Sequence, residues 1–143
     1  AFRGKTKRNF PMFEEPGTAY IYFIYGLHYC FNVVSREKGI GEAILIRALE
    51  PIECIDLMIK RINKNNSKLS NLQSKIICNG PGKLCKAMGI DKTFNNHKLW
   101  QKPLYIIEDK ESNTEEKDII TTKRIGIKVA KDLPLRFYLK LDL

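Results

Sequence analysis

The stretch "TAYIYFIYGLHYCFN", residues 18–32, decides how this chain is read. Its aromatic and β-branched alternation predicts a strand over 18–25 and a second over about 29–34, joined at Gly26. The residues crowding that turn are Tyr25, Leu27 and His28, whereas hairpin tips normally carry Asn, Asp, Ser or Gly. Two readings stand open. Another segment covers the tip and makes it core, or the tip projects as an apolar wedge of the kind that unstacks a base step in DNA.

Outward from the hairpin, "EEPG" is a turn signal that precedes the first strand, and "REKGIGE" (36–42) is a polar loop. "AILIRALE" (43–50) reads as a third strand, completing an antiparallel meander. Pro51 suits a first helical turn, and Ile52, Ile55, Ile59 and Ile62 form an amphipathic stripe after it. "NKNNSKLSNLQSK" (63–75) is polar and weakly patterned, as a flexible insertion would be. "NGPGKLCKAMGI" (79–90) reads as a loop feeding a short helix, with Leu84, Cys85 and Met88 inward and Gly89 ending it. Further strands are expected at about 104–108 and within "KRIGIKVAK" and "PLRFYLKL", with "DKESNTEEKD" a charged loop. No repeat or linker is apparent, so one α+β domain with a curved, mostly antiparallel sheet is the expectation.

The chain has 143 residues, 25 Lys+Arg against 16 Asp+Glu, and a formal net charge of +9. That excess points to a polyanionic partner, nucleic acid before a membrane surface. No apolar run reaches the ~18 residues of a membrane span, and the basic N-terminal stretch lacks a signal-peptide core. Cys30, Cys54, Cys78 and Cys85 form no C-x-x-C pair, and with only His28 and His97 beside them no zinc spacing appears. Three lie in apolar segments, as small core residues do, which suits a reducing, intracellular compartment.

Strand periodicity puts Tyr20 and Tyr22 on one face of the first strand, Asn32 with Cys30 and Val34 on the second, and Leu45 with Arg47 on the third. Buried Asn and Arg need partners. Facing one cavity with Tyr22, they would line a site for a flat polar ligand; otherwise Arg47 faces solvent and Asn32 makes a structural hydrogen bond. "GPGKL" (80–84) offers backbone N–H groups and Lys83 at a helix start, either a phosphate contact or simply a turn and cap; the P-loop spacing is absent. "KTKRN" (5–9) is either a phosphate-contacting strip or solvated surface. No nucleophile–base arrangement stands out.

Taken together, "TKRN" (6–9), "MFEEPGTAYIYFIYGLHYCFNVV" (12–34), "LIRALEP" (45–51), "NGPGKLCKAMGI" (79–90), "RIGI" (124–127) and "PLRFYL" (134–139) resemble the alkyladenine (3-methyladenine) DNA glycosylase family, in the family's order and over nearly the whole chain. The resemblance implies a base excision repair enzyme that flips a damaged purine, alkylated or deaminated, out of duplex DNA and hydrolyses its N-glycosidic bond. It implies no metal, no cofactor, no membrane association, a monomer, and a place in the cytoplasm and nucleoid or in the nucleus. By position it implies that Tyr25 intercalates, Tyr22 stacks on the base, Asn32 crowds guanine's exocyclic amino group and Leu45 lines the pocket. Arg47 and the Ile125 carbonyl would hold the attacking water. Thr6, Arg8, Leu27, His28 and Lys83 would lie near the DNA.

The general-base glutamate, a stacking tyrosine and a pocket histidine that the resemblance also implies match no residue of 1–143. "KVAKDLP" is shorter than the family's corresponding loop, which bears on pocket closure. These 143 residues alone are therefore expected to be inactive, since losing a general base costs ~10²–10⁴-fold. A non-catalytic damaged-DNA-binding module is the alternative.

Overall fold

A computed structural model of the chain describes residues 1, 4–63, 76–110 and 115–140. Most of the polar stretch at 63–75, and the middle of the charged loop at 109–118, fall outside them. The described residues form two compact units, Ala1–Ile107 and Glu108–Leu143. In place of one continuous sheet there are two antiparallel sheets, one in each unit, and among the described residues two α-helices. None is long and apolar enough to cross a membrane.

The first unit is built on the hairpin. Strands β1 (Ala19–Ile24) and β2 (His28–Val34) pair with Tyr20 opposite Asn32, Tyr22 opposite Cys30 and Ile24 opposite His28. Strand β3 (Ala43–Leu45) adds to β2, with Leu45 opposite Asn32. It is shorter than the expected 43–50, because the chain beyond it turns to a different partner. The Gly80 N–H donates to the Arg47 carbonyl at 3.0 Å, and Ala48 bridges Asn79.

Because cross-strand partners share a face, one side of the sheet carries Ala19, Ile21 and Phe31, all buried. Helix α2 (Pro81–Met88) packs against β2 and buries Leu84, Cys85 and Ala87 in the same apolar cluster. Pro81 supplies a pre-set φ in its first turn, and Gly89 (φ 72°) ends it as expected. Helix α1 (Ile55–Ile62) lays Ile55, Met58, Ile59 and Ile62 against this cluster and packs on α2. It starts four residues later than Pro51 suggested, since Cys54 takes a left-handed φ of 55° through which a helix cannot run. Ile52 consequently lies outside the stripe, 82% exposed.

Two further expectations are corrected. Residues 104–108 form no strand: the His97 Nε2 is 2.8 Å from the Leu104 carbonyl oxygen, and Ile106 makes one isolated backbone bond to Leu99. In the second unit the strand before "PLRFYLKL" is β4 (Ile119–Thr122), which pairs with β5 (Arg136–Leu139), not "KRIGIKVAK". The β-branched run Ile119–Thr122 supplies the strand, while Gly126 (φ 73°) and Ala130 (φ 55°) keep the later segment irregular.

Cys30, Cys78 and Cys85 are buried, and Cys54 is exposed. Leu84, fully buried at the centre of the cluster, is the position at which truncation should be felt most. Leu84→Ala is expected to lower unfolding stability by about 2–5 kcal/mol, read by denaturant titration; a change below 0.5 kcal/mol would remove Leu84 from the core.

Candidate nucleic-acid interface

The hairpin tip is open to solvent. Tyr25 is 81% and Leu27 74% exposed, and no other described segment covers them. Tyr25 and Gly26 take φ of 55° and 65°, and the Leu27 N–H donates to the Ile24 carbonyl at 3.1 Å. Positive φ at both central residues is the signature of a hairpin turn whose twist suits the strands. Glycine meets that demand without penalty, but a tyrosine held there costs ~1–3 kcal/mol. The chain thus keeps a bulky aromatic, fully presented, where Asn or Asp would fold more easily. Among the described residues nothing makes the tip core, and it projects into solvent.

At the base of the tip, His28 meets the start of α2. A Cβ on Gly82 would lie 2.9 Å from His28 Cγ and 3.0 Å from its Cβ. Glycine is required here for close approach rather than for φ, and any larger residue would push the imidazole away. Through this contact "GLH" and "GPGKL", far apart in sequence, become one surface on which Lys83 is exposed beside Pro81 and Gly82.

Behind the tip, the face opposite the apolar core gathers Tyr20, Tyr22, Cys30, Asn32 and Leu45. Tyr20, Cys30 and Asn32 are buried, while Tyr22, Leu45 and Arg47 are half-buried. The sheet therefore brings together the residues expected to form a base pocket. Asn32 Nδ2 donates to the Tyr20 carbonyl at 3.0 Å and the Cys30 carbonyl at 3.3 Å. The structural hydrogen bond weighed for Asn32 is real, and it fixes the amide in place on this face. The Tyr20 and Tyr22 rings lie 5.3 Å apart at 37°. Burial first, then the neighbouring Cys30, push the Tyr22 phenol up to about 12, so it stays neutral. Burial likewise raises the Cys30 thiol, opposed by its hydrogen bond with Tyr22 and by the positive charge of Arg47.

The basic lead-in reaches the same face. Its 3-10 turn Phe10–Phe13 buries Pro11 and packs against β1 and β2. The Thr6 N–H and hydroxyl both donate to Asn9 Oδ1, at 2.6 and 2.9 Å, which gives Thr6 a turn-stabilising role. Arg8 does not simply reach into solvent: its guanidinium carbon lies 5.2 Å from the centre of the Tyr22 ring, and Nη2 donates to the Phe23 carbonyl at 3.3 Å. Among the described residues, no carboxylate pairs with Arg8, Arg47 or Lys83. Ile125 belongs to the second unit and is half exposed.

Sequence reasoning missed two partners, Cys30 for the Tyr22 hydroxyl and Gly82 for His28. The first was within reach, since a three-residue tip fixes the register that faces Tyr22 with Cys30. The second had no local signal, because it joins segments more than fifty residues apart.

A model of the methylpurine-DNA glycosylase family matches residues 1–142. A protein of Carboxydothermus hydrogenoformans, provisionally named a 3-methyladenine DNA glycosylase, is 50% identical over 140 residues, which cover 98% of this chain and 69% of that protein. Proteins with the same provisional name from Francisella tularensis (over 141 residues, 98% of this chain and 69% of the relative) and Clostridium botulinum (over 145 residues, 98% and 70%) are each 47% identical. With the family model spanning the hairpin, the "IRALEP" segment and the "GPGKL" helix start alike, the chain belongs to the methylpurine-DNA glycosylase family.

Proposed function

We propose that the chain recognises a damaged purine in duplex DNA by driving its hairpin into the minor groove and receiving the extruded base against Tyr22. One observation carries this reading: an exposed, conformationally costly Tyr25 stands at the tip of the hairpin of a three-stranded sheet whose face opposite the apolar core gathers Tyr22, Asn32 and Leu45. Tyr25 fills the gap that the flipped nucleotide leaves, with Leu27 beside it. Such insertion offsets the few kcal/mol of unstacking that base flipping requires. His28 and Lys83, held together through Gly82, and Thr6 lie along the backbone of the bent duplex, and the net charge of +9 draws the polyanion in.

The chemistry is hydrolysis of the glycosidic bond. The bond from C1′ to the purine nitrogen breaks, its electron pair leaves with the base, and water adds to C1′ and gives up a proton. Arg47, at the edge of the pocket face, orients that water. The carboxylate that would take the proton and stabilise the sugar's positive charge has no counterpart among residues 1–143. Asn32, clamped to two backbone carbonyls, cannot swing aside, so a guanine amino group meets a fixed obstacle. This gives the pocket its preference for purines that lack a 2-amino group, such as hypoxanthine and 3-methyladenine.

Three outcomes test this. In binding assays with a duplex carrying an abasic-site analogue, Tyr25→Ala is expected to weaken affinity by about 1–3 kcal/mol, the scale of base–aromatic stacking; unchanged affinity would make the tip a bystander. Asn32→Ser is expected to narrow the gap between hypoxanthine and guanine in competition binding, and an undiminished gap would remove Asn32 from discrimination. The polypeptide 1–143 alone is expected to release hypoxanthine at least ~10²-fold more slowly than a relative that carries the glutamate. Comparable single-turnover rates would show that the general base lies among these residues.

A further inference from the structure

We propose that Arg8 is a resident occupant of the base-stacking face of Tyr22, which an incoming base must displace. The inference rests on the reading of Tyr22 as the stacking residue. By position Arg8 is expected to lie near the DNA backbone or groove, and in the free protein its guanidinium lies over the Tyr22 ring at 5.2 Å, steadied by one bond to the Phe23 carbonyl. The guanidinium is flat, delocalised and weakly hydrated, and it stacks on aromatic faces much as a nucleobase does. A planar ring cannot lie on that face of Tyr22 while the guanidinium is there.

The restraint on Arg8 is light. Its side chain is exposed, no carboxylate pairs with it among the described residues, and its hydrogen bond to the Phe23 carbonyl is long at 3.3 Å. The residue is carried on a turn closed by the Thr6–Asn9 bonds, just before the 3-10 turn that packs against β1. Together these features describe a group kept near the pocket yet cheap to move. Arg8 shields the ring from water in the free protein, and on base entry it is released toward the phosphates. Exchange of this kind is a threshold: only a base whose extrusion and stacking outweigh the resident contact enters. Arg8 therefore sets a cost on base entry that a complex with no extruded base does not bear, and it is more than a plain phosphate contact.

The test is a ratio of affinities of the full chain for a hypoxanthine-containing duplex and for an undamaged duplex of the same sequence, in the wild type and in Arg8→Met, Arg8→Lys and Tyr22→Ala. Removing the resident cation is expected to raise the hypoxanthine preference about two- to five-fold in Arg8→Met, the equilibrium equivalent of an exposed cation–π contact. Arg8→Lys, which keeps the charge but not the flat stack, should give a smaller rise. If Arg8 serves only phosphates, Arg8→Met weakens both duplexes equally and leaves the ratio unchanged, with the salt slope reduced by about one; that result overturns the proposal. Tyr22→Ala separates the two levels of the argument. If it lowers the ratio while Arg8→Met does not move it, the occupant idea alone fails. If it leaves the ratio unchanged, the stacking role of Tyr22 fails and the occupant idea with it.

Discussion

The pairing of β1 with β2 constrains everything else in the first unit. A strand's side chains alternate, so a slip of one residue would send every side chain to the opposite face. With Tyr22 opposite Cys30, one face carries Ala19, Ile21 and Phe31 to the apolar cluster under α2, and the other carries the polar and aromatic set. The slipped register would put Asn32 into that apolar cluster, away from the arrangement in which it reaches the Tyr20 and Cys30 carbonyls. An unsatisfied buried amide costs enough to forbid this. The core and the candidate pocket are two sides of one register, and neither can drift without spoiling the other.

The same register decides where strain is placed. Ile24 and His28 close the ladder, leaving three residues to reverse the chain and forcing positive φ onto Tyr25. A non-glycine residue in that conformation persists when its surroundings over-determine it. Here the determinants are the ladder on one side and the His28–Gly82 contact on the other, which ties the hairpin to a helix that is itself anchored in the core by Leu84 and Cys85. The outcome is a rigid mount for an exposed ring. For the proposed insertion such support matters, because ordering a loose tip at that moment would consume part of the stacking energy.

Much of this was legible in the sequence, and the failures have identifiable causes. The hairpin, the short helix of "GPGKLCKAM" and the shared face of Tyr22, Asn32 and Leu45 follow from alternation and turn chemistry, which are local. The third strand was read too long because "AILIRALE" has strand composition throughout. Its end is set instead by the distant Cys78–Gly80 segment, which claims the backbone of Arg47 to Leu49. Helix α1 was placed too early because Pro51 and Ile52 fit the helical pattern, and only the left-handed backbone of Cys54 breaks it. Composition also fixed the sign of Arg8 but not its partner. A basic strip looks the same whether it faces phosphate or an aromatic ring, and the cation over Tyr22 depends on a tertiary fold-back.

The electrostatics of the pocket face carry the argument one step further. Its titratable groups, the Tyr20 and Tyr22 phenols and the Cys30 thiol, are all raised by burial and stay neutral. The charges that reach this face are cationic, Arg8 over the Tyr22 ring and Arg47 near enough to be felt at the Cys30 thiol. Such a face suits a flat ring and the phosphates that accompany it. It is poorly suited to a sugar that acquires positive charge as its bond to the base breaks, since like charges within several ångströms oppose that change. Binding and bond cleavage therefore make opposite electrostatic demands. In the proposed reaction, a carboxylate at this face would be needed as the proton acceptor and equally as the counter-charge to Arg47.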